Sequence, residues 1–209
     1  LTPKDYEYML SDSRAKALVV SEALYAKFGG IIKSCPDLAH VIVSGDNAQG
    51  HKRFEDVVAA AKPDGATAPT TRDDMCFWLY TSGSTGKPKG AVHVHASLPL
   101  TADLYGTPIA GLKESDVIHS VAKFFFAYGL GNAMTFPMSV GATVVLNAER
   151  PTPDSVAALL KKHPVTVLFG VPTFFAAFLA SPSAPQRAEL KLRRVISAGE
   201  ALPPDIAKR

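Results

Sequence analysis

Tyr80-Thr81-Ser82-Gly83-Ser84-Thr85-Gly86-Lys87-Pro88-Lys89-Gly90 packs four aliphatic hydroxyls, three glycines and two lysines into eleven residues. That combination suits a polyphosphate. Main-chain and hydroxyl donors can surround its oxygens while ammonium groups neutralise charge. Each charge-assisted hydrogen bond of this kind contributes about 1.5–3 kcal/mol. Glycine lets the main chain approach a ligand closely and adopt positive φ. The candidates are Thr81, Ser82, Ser84 and Thr85 as hydroxyl donors, Gly83 and Gly86 for the close approach, and Lys89 as the cation. The apolar run Met75-Cys76-Phe77-Trp78-Leu79 just before it predicts a buried strand, with Cys76 a small buried residue. A flexible Ser/Gly turn is the plainer alternative. The ordered alternation of hydroxyl and glycine directly after a strand argues against it.

Known phosphate-loop spacings narrow the choice. The P-loop pattern needs glycine at 81 and Ser or Thr at 88, where the chain has Thr81 and Pro88. Pro88 also keeps Lys87 from running into a helix. Neither Gly-x-Gly-x-x-Gly nor Gly-x-Ser-x-Gly occurs.

Two further segments follow predicted strands. Lys123-Phe124-Phe125-Phe126-Ala127-Tyr128-Gly129-Leu130-Gly131 comes after the strand at 116–119, and its glycines thin the wall beside an aromatic cluster. It reads either as a pocket wall or as the start of a core helix, with Phe124 and Phe125 the better core candidates. Ser197-Ala198-Gly199-Glu200-Ala201-Leu202-Pro203 ends the last strand, and Gly199 permits close main-chain approach to a flat ring. His93 and His95 share a strand face by period two but lack a third metal ligand, so no metal site is assigned to the chain. Lys161, Lys162, Arg193 and Arg194 read as solvated faces.

The string at 80–90 resembles, residue for residue, the phosphate loop of the adenylate-forming superfamily, which includes acyl-CoA and aryl-CoA ligases, nonribosomal adenylation domains and luciferases. The resemblance implies nucleotide contacts at Thr81, Ser82, Gly83, Ser84, Thr85, Gly86, Lys89, Gly199, Glu200 and Ala201, with Lys89 catalytic. It implies an acid-binding wall at Phe126, Ala127 and Tyr128. It also implies ATP, Mg²⁺ bridging the phosphates, and coenzyme A as acceptor. Amino-acid-activating members place an aspartate in the second segment, because a buried ammonium without a partner is costly. This chain has no acidic residue between Asp116 and Glu149. The expected acid therefore has no α-amino group, and small Ala127 beside Tyr128 suits a flat ring. The segment looks most like benzoate–CoA ligases and their aryl-CoA relatives; phenylacetate, hydroxycinnamate and aliphatic acids stay open. A nucleotide-binding module without catalysis is the alternative from another class.

The elements that would position these segments alternate along the chain. Strands are predicted at 17–20, 41–43, 75–79, 91–95, 116–119, 142–146, 165–169 and 192–197. Helices are predicted from Thr2-Pro3, over 22–28 with Ser21 as its cap, and over 52–61, 97–105, 153–162 and 172–180. Short apolar strands between helices imply an α/β fold, a layered and largely parallel sheet flanked by helices. The resemblance makes it part of the large N-terminal domain of an adenylate-forming enzyme. Ligands in such sheets lie beyond the carboxyl ends of the strands, a condition the loops at 81–90, 123–131 and 197–202 meet.

The 209 residues are 47% hydrophobic, enough for one compact domain or a large part of one. A net charge of +3 from scattered lysines and arginines gives no nucleic-acid stripe. No apolar run reaches the roughly 18 residues of a membrane helix. Two distant cysteines, Cys35 and Cys76, suit a reduced, cytoplasmic setting. A homodimer is left open. The chain starts at Leu1 and stops at Lys208-Arg209 soon after a motif, which suggests a piece of a longer protein. The family's Tyr-Gly-x-Thr-Glu segment, ribose-binding aspartate, hinge and small carboxy-terminal domain with its lysine are not in these residues. The piece alone is therefore not expected to turn over.

Overall fold

The structure is a computed structural model that describes residues 1–81 and 87–209. Ser82, Gly83, Ser84, Thr85 and Gly86, five of the predicted nucleotide contacts, lie outside the described residues. The chain divides into two compact units, Leu1–Thr71 with Cys76–His93, and Arg72–Met75 with Val94–Arg209. No described helix is long and apolar enough to cross a membrane.

The first unit holds a parallel sheet of β1 (Ala17–Ser21), β2 (His40–Ser44) and β3 (Lys52–Arg53), in that order. Leu18 and Val20 alternate inward along β1 and pack with Phe28, Ile31 and Val43, while Val19 faces out. The helix Pro3–Asp12 adds Tyr6, whose ring centroid lies 4.4 Å from that of Phe28. Its start is a reciprocal cap. Asp5 N–H donates to Thr2 Oγ1 at 3.3 Å and Thr2 N–H to Asp5 Oδ2 at 2.7 Å. Ser21 holds the N-cap position as expected, but its side chain makes no cap hydrogen bond. It stays extended as the last residue of β1, and the helix after it covers only Glu22–Tyr25. Turns then carry the chain past Gly29 and Gly30, which a helix interior disfavours, and bury Phe28.

β4 (Met75–Thr81) and β5 (Lys89–Val94) form a two-stranded sheet. The run at 75–79 is not buried as predicted. Met75 is 59% exposed, Cys76 is exposed, and Phe77, Trp78 and Leu79 are only partly covered. Apolar character marks a strand that can be buried, but a two-strand sheet gives it few neighbours to be buried by.

The second unit is built on a parallel sheet of β6 (Val117–Ser120), β7 (Thr143–Val144), β8 (Val167–Gly170) and β9 (Arg194–Ser197), in the order β7-β6-β8-β9. All four residues of β8 are buried, as expected for a central parallel strand. Its side chains alternate between two layers. Leu168 joins Val156, Leu160, Phe175 and Phe178 from the helices Pro153–Lys162 and Pro172–Ala180. Val167 and Phe169 join Ile118, Ala102, Leu112 and Phe136 on the other face. Fully burying a side chain such as Phe169 stabilises by about 1.5–3 kcal/mol. Helices on both faces of parallel strands make the unit α/β, in line with the sequence.

One helical stretch runs well beyond the helix start that 123–131 offered as an alternative reading. Residues 127–140 run as α-helix over Ala127–Leu130, widen to π geometry over Gly131–Thr135, and finish as Phe136–Val140 with a left-handed cap at Gly141 (φ 75°). Gly129, Gly131 and Pro137 hide it from propensity arguments. β7 is shorter than predicted, and Arg193 and Arg194 are not free solvated charges. Asp116, 2% exposed, accepts from Arg193 Nε at 2.7 Å, from Thr166 Oγ1 at 2.7 Å and from the Lys113 N–H at 2.9 Å, and pairs with Arg193 Nη2 as well. The guanidinium beside it holds the Asp116 carboxyl down to about 2. Arg194 Nη1 donates to the carbonyls of Ile109 and Ala110, each at 2.9 Å. A buried carboxylate ahead of β6 calls for such partners.

Candidate functional site

Because β6, β8 and β9 are parallel, the segments that follow them leave from one edge of the sheet. After β6 the chain turns through residues 121–126 and enters the helix at Ala127. After β8 comes Val171, and after β9 come Ala198 and Gly199. The Ala198 N–H donates to the Gly170 carbonyl at 3.3 Å, so the two strand ends stay tied beyond the ladder.

Tyr128 draws these segments together. Its hydroxyl lies 3.2 Å from the carbonyl of Gly170 and 3.2 Å from that of Ile196, and donates to them. Its ring stands edge-on to Phe169, with centroids 6.3 Å apart at 84°. Burial pushes the phenol up to about 12, helped by the neighbouring Tyr105 and opposed by the Asn132 amide. The group is a neutral donor at any physiological pH.

The turn before Tyr128 is sterically fixed. A Cβ on Gly129 would sit 2.1 Å from the Lys123 carbonyl oxygen, so only glycine fits. The Phe126 N–H closes the turn on that same carbonyl at 3.0 Å. Lys123 itself is engaged, donating from Nζ to the carbonyls of Asn147 and of Glu149, the latter at 2.6 Å. The expectation that Phe124 and Phe125 belong to the core is not met. The closed turn pushes them past the sheet edge, and Phe125 is 73% exposed and Phe126 57%. The Phe125 and Phe126 rings lie 4.5 Å apart, and Ala127 is exposed beside them.

Gly199 has φ 98°, a region that other residues enter only with strain. A side chain there would find room, the nearest atom being Val171 Cγ1 at 3.6 Å, so the conformation is what calls for glycine. Glu200 and Ala201 follow with exposed side chains. The second unit thus brings Phe126, Ala127 and Tyr128 to the edge from which Gly199, Glu200 and Ala201 depart.

In the first unit, Thr81 ends β4 and Lys89 opens β5, both exposed. Gly90 packs under two rings, and a Cβ there would lie 3.1 Å from Trp78 Cε3 and 3.2 Å from Tyr80 Cζ. The Tyr80 hydroxyl donates to Asp12 Oδ2 at 2.7 Å. Lys87 Nζ sits 5.5 Å from the centre of the Tyr8 ring, a cation–π contact of about 0.5–1 kcal/mol. His93 stacks on Phe77 at 4.8 Å, and His95 lies past the end of β5 with its N–H on the Asp74 carbonyl. Among the described residues no group of three His, Cys, Asp or Glu side chains could hold a metal ion.

Sequence reasoning missed the Asp116–Arg193–Thr166 cluster and buried His119, whose Nδ1 lies 2.9 Å from the Val145 carbonyl. The available signal was an aspartate at the mouth of an apolar strand. It also missed that the partners of Tyr128 are main-chain carbonyls, which carry no side-chain signature.

Residues 1–209 match the AMP-binding enzyme family. The chain is 50% identical over 209 residues to a benzoate–CoA ligase of Thauera aromatica, covering 100% of this chain and 39% of that protein. It superposes with a TM-score of 0.89 on crystal structures of a benzoate CoA ligase from Burkholderia xenovorans LB400, at 48% identity, covering 100% of this chain and 40% of the other. It matches the anthranilate CoA ligase AuaEII, crystallised in complex with anthranoyl-AMP, with a TM-score of 0.92 at 35% identity over 99% of this chain and 40% of that one. The chain therefore spans about two fifths of the length of these relatives.

Proposed function

Since the chain belongs to the AMP-binding enzyme family, we infer that the complete protein activates an aromatic carboxylic acid of the benzoate type with ATP and delivers it to coenzyme A as an aryl-CoA thioester. The carrying observation is the chemistry of the sheet edge in the second unit. Aromatic Phe126, small Ala127 and neutral Tyr128 come together there, on a stretch with no carboxylate between Asp116 and Glu149. Such a wall favours a flat, uncharged ring and gives an ammonium group nothing to pair with. The 50% identity to a benzoate–CoA ligase supports the same reading.

In this reaction the carboxylate attacks the α-phosphorus of ATP, pyrophosphate leaves, and the thiol of coenzyme A then displaces AMP from the acyl-adenylate. The first step depends on orientation and on neutralising phosphoryl charge. Thr81, Ser82, Ser84 and Thr85 would donate to the β- and γ-phosphates, with Gly83 and Gly86 opening the main chain and Lys89 as the cation. Exposed Thr81 and Lys89, at the facing ends of β4 and β5, fit that role. Gly199, Glu200 and Ala201 would border the nucleotide, and the left-handed turn at Gly199 fits close approach of a flat ring. Mg²⁺, held by the phosphates, would supply further charge neutralisation. A cytoplasmic setting accords with ATP and coenzyme A as substrates.

The test is pyrophosphate exchange by the complete protein with a panel of acids: benzoate, 4-hydroxybenzoate, phenylacetate, acetate and phenylalanine. Exchange is expected to be fastest with benzoate, with benzoyl-CoA formed once coenzyme A is added. Exchange driven best by acetate or by phenylalanine overturns the assignment.

A further inference from the structure

We propose that Tyr128 is a positioning residue whose hydroxyl ties the acid-binding segment to the main chain that carries the nucleotide-side turn, so that one strut holds the places of both substrates. The proposal rests on the site reading given above and adds a role to a residue taken until now only as pocket lining.

The phenol has one proton and two acceptors at the same distance, 3.2 Å. Those acceptors are the last carbonyl of β8 and the next-to-last of β9, and Gly170 pairs with Ser197 in the ladder. The Gly170 oxygen is shared with the Ala198 N–H, so the phenol and the turn toward Gly199 meet on one atom. The other end of the strut is equally fixed. The helix turn carrying Tyr128 is closed by the Phe126 N–H on the Lys123 carbonyl, beside which only glycine fits at 129, and its ring stands edge-on to Phe169. With its hydroxyl aimed at the protein, Tyr128 has only its ring to offer an acid. A tyrosine that merely satisfied its own oxygen would need one carbonyl, and any would do. This one spans two strands just where the chain leaves them.

The experiment compares Tyr128→Phe with Val156→Ala in the complete protein. Val156 is fully buried in the layer on the opposite face and serves as a control for lost packing. Losing the strut is expected to raise KM for the acid and for ATP about three- to tenfold, the equivalent of one hydrogen bond. kcat should stay within about twofold, with KM for coenzyme A unchanged. Val156→Ala is expected to lower Tm and leave every KM as it was. The proposal is overturned if Tyr128→Phe leaves both KM values unchanged, if it only lowers kcat or Tm as the control does, or if it does not fold. ATP affinity measured by calorimetry separates this result from the substrate assignment. A wild-type protein inactive on benzoate refutes that assignment, while a weaker ATP affinity in Tyr128→Phe still supports the strut.

Discussion

Ala127 is the residue on which acid selectivity is expected to turn. It is small, exposed at the sheet edge, and sits between Phe126 and Tyr128. Leucine there would add three carbons to the proposed acid-binding wall, and overfilling a fitted site costs about 1–3 kcal/mol. Ala127→Leu should therefore raise KM for benzoate about tenfold while changing KM for acetate much less. Equal changes for the two acids, in steady-state assays of the complete protein, would remove Ala127 from the pocket. At this scale the sequence was a good guide to types and a poor one to surroundings. The aromatic and glycine residues of 123–131 do lie where strands end. Yet Phe124 and Phe125 are outside the core and Lys123 is spent on carbonyls, because a closed turn depends on the Gly129 contact and no composition reveals that.

Between elements, Asp116 pairs with Arg193, joining the residue before β6 to the residue before β9. The Asp116 carboxyl is depressed from 3.8 to about 2, so it favours the folded state above its unfolded value, and that contribution disappears as pH falls from 3.8 toward 2. The depression corresponds to roughly 2 kcal/mol. Arg193→Leu leaves a buried carboxylate without its cation, which costs about 3–5 kcal/mol near neutral pH. The gap in Tm between variant and wild type should narrow when melts are repeated near pH 3, because the variant's Asp116 takes up a proton at higher pH. A gap independent of pH would mean that Arg193 acts through packing alone. The strands themselves were legible, since β1, β2, β6, β8 and β9 overlap the apolar runs. Of the helix at 127–140 only a start was legible, because its glycines and proline speak against a helix until a π turn and the packing of Phe136 accommodate them.

Across the whole chain, α/β layering followed from apolar strands alternating with helices, and the two layers of the second unit bear it out. The division into two compact units did not follow, since the polar run at 63–71 reads as a loop within one domain and no change in composition marks His93. Nor did the exposure of β4, which depends on how many strands lie beside it. The 209 residues correspond to about two fifths of the length of their relatives. The isolated chain is accordingly expected to form no aryl-CoA in a thioester assay where the complete protein does. Full turnover by the piece would refute this.

The hydroxyl of Tyr128 has a consequence for how the molecule is made. Its two acceptors lie 42 and 68 residues further along the chain. A ribosome adding about 5–20 residues per second delivers the second of them roughly 3–14 s after the tyrosine. Throughout that interval the phenol lacks at least one of its two carbonyl partners. The nascent protein can build its early helices and strands in order, but the segment carrying Tyr128 gains both of its carbonyl partners only when β9 has docked.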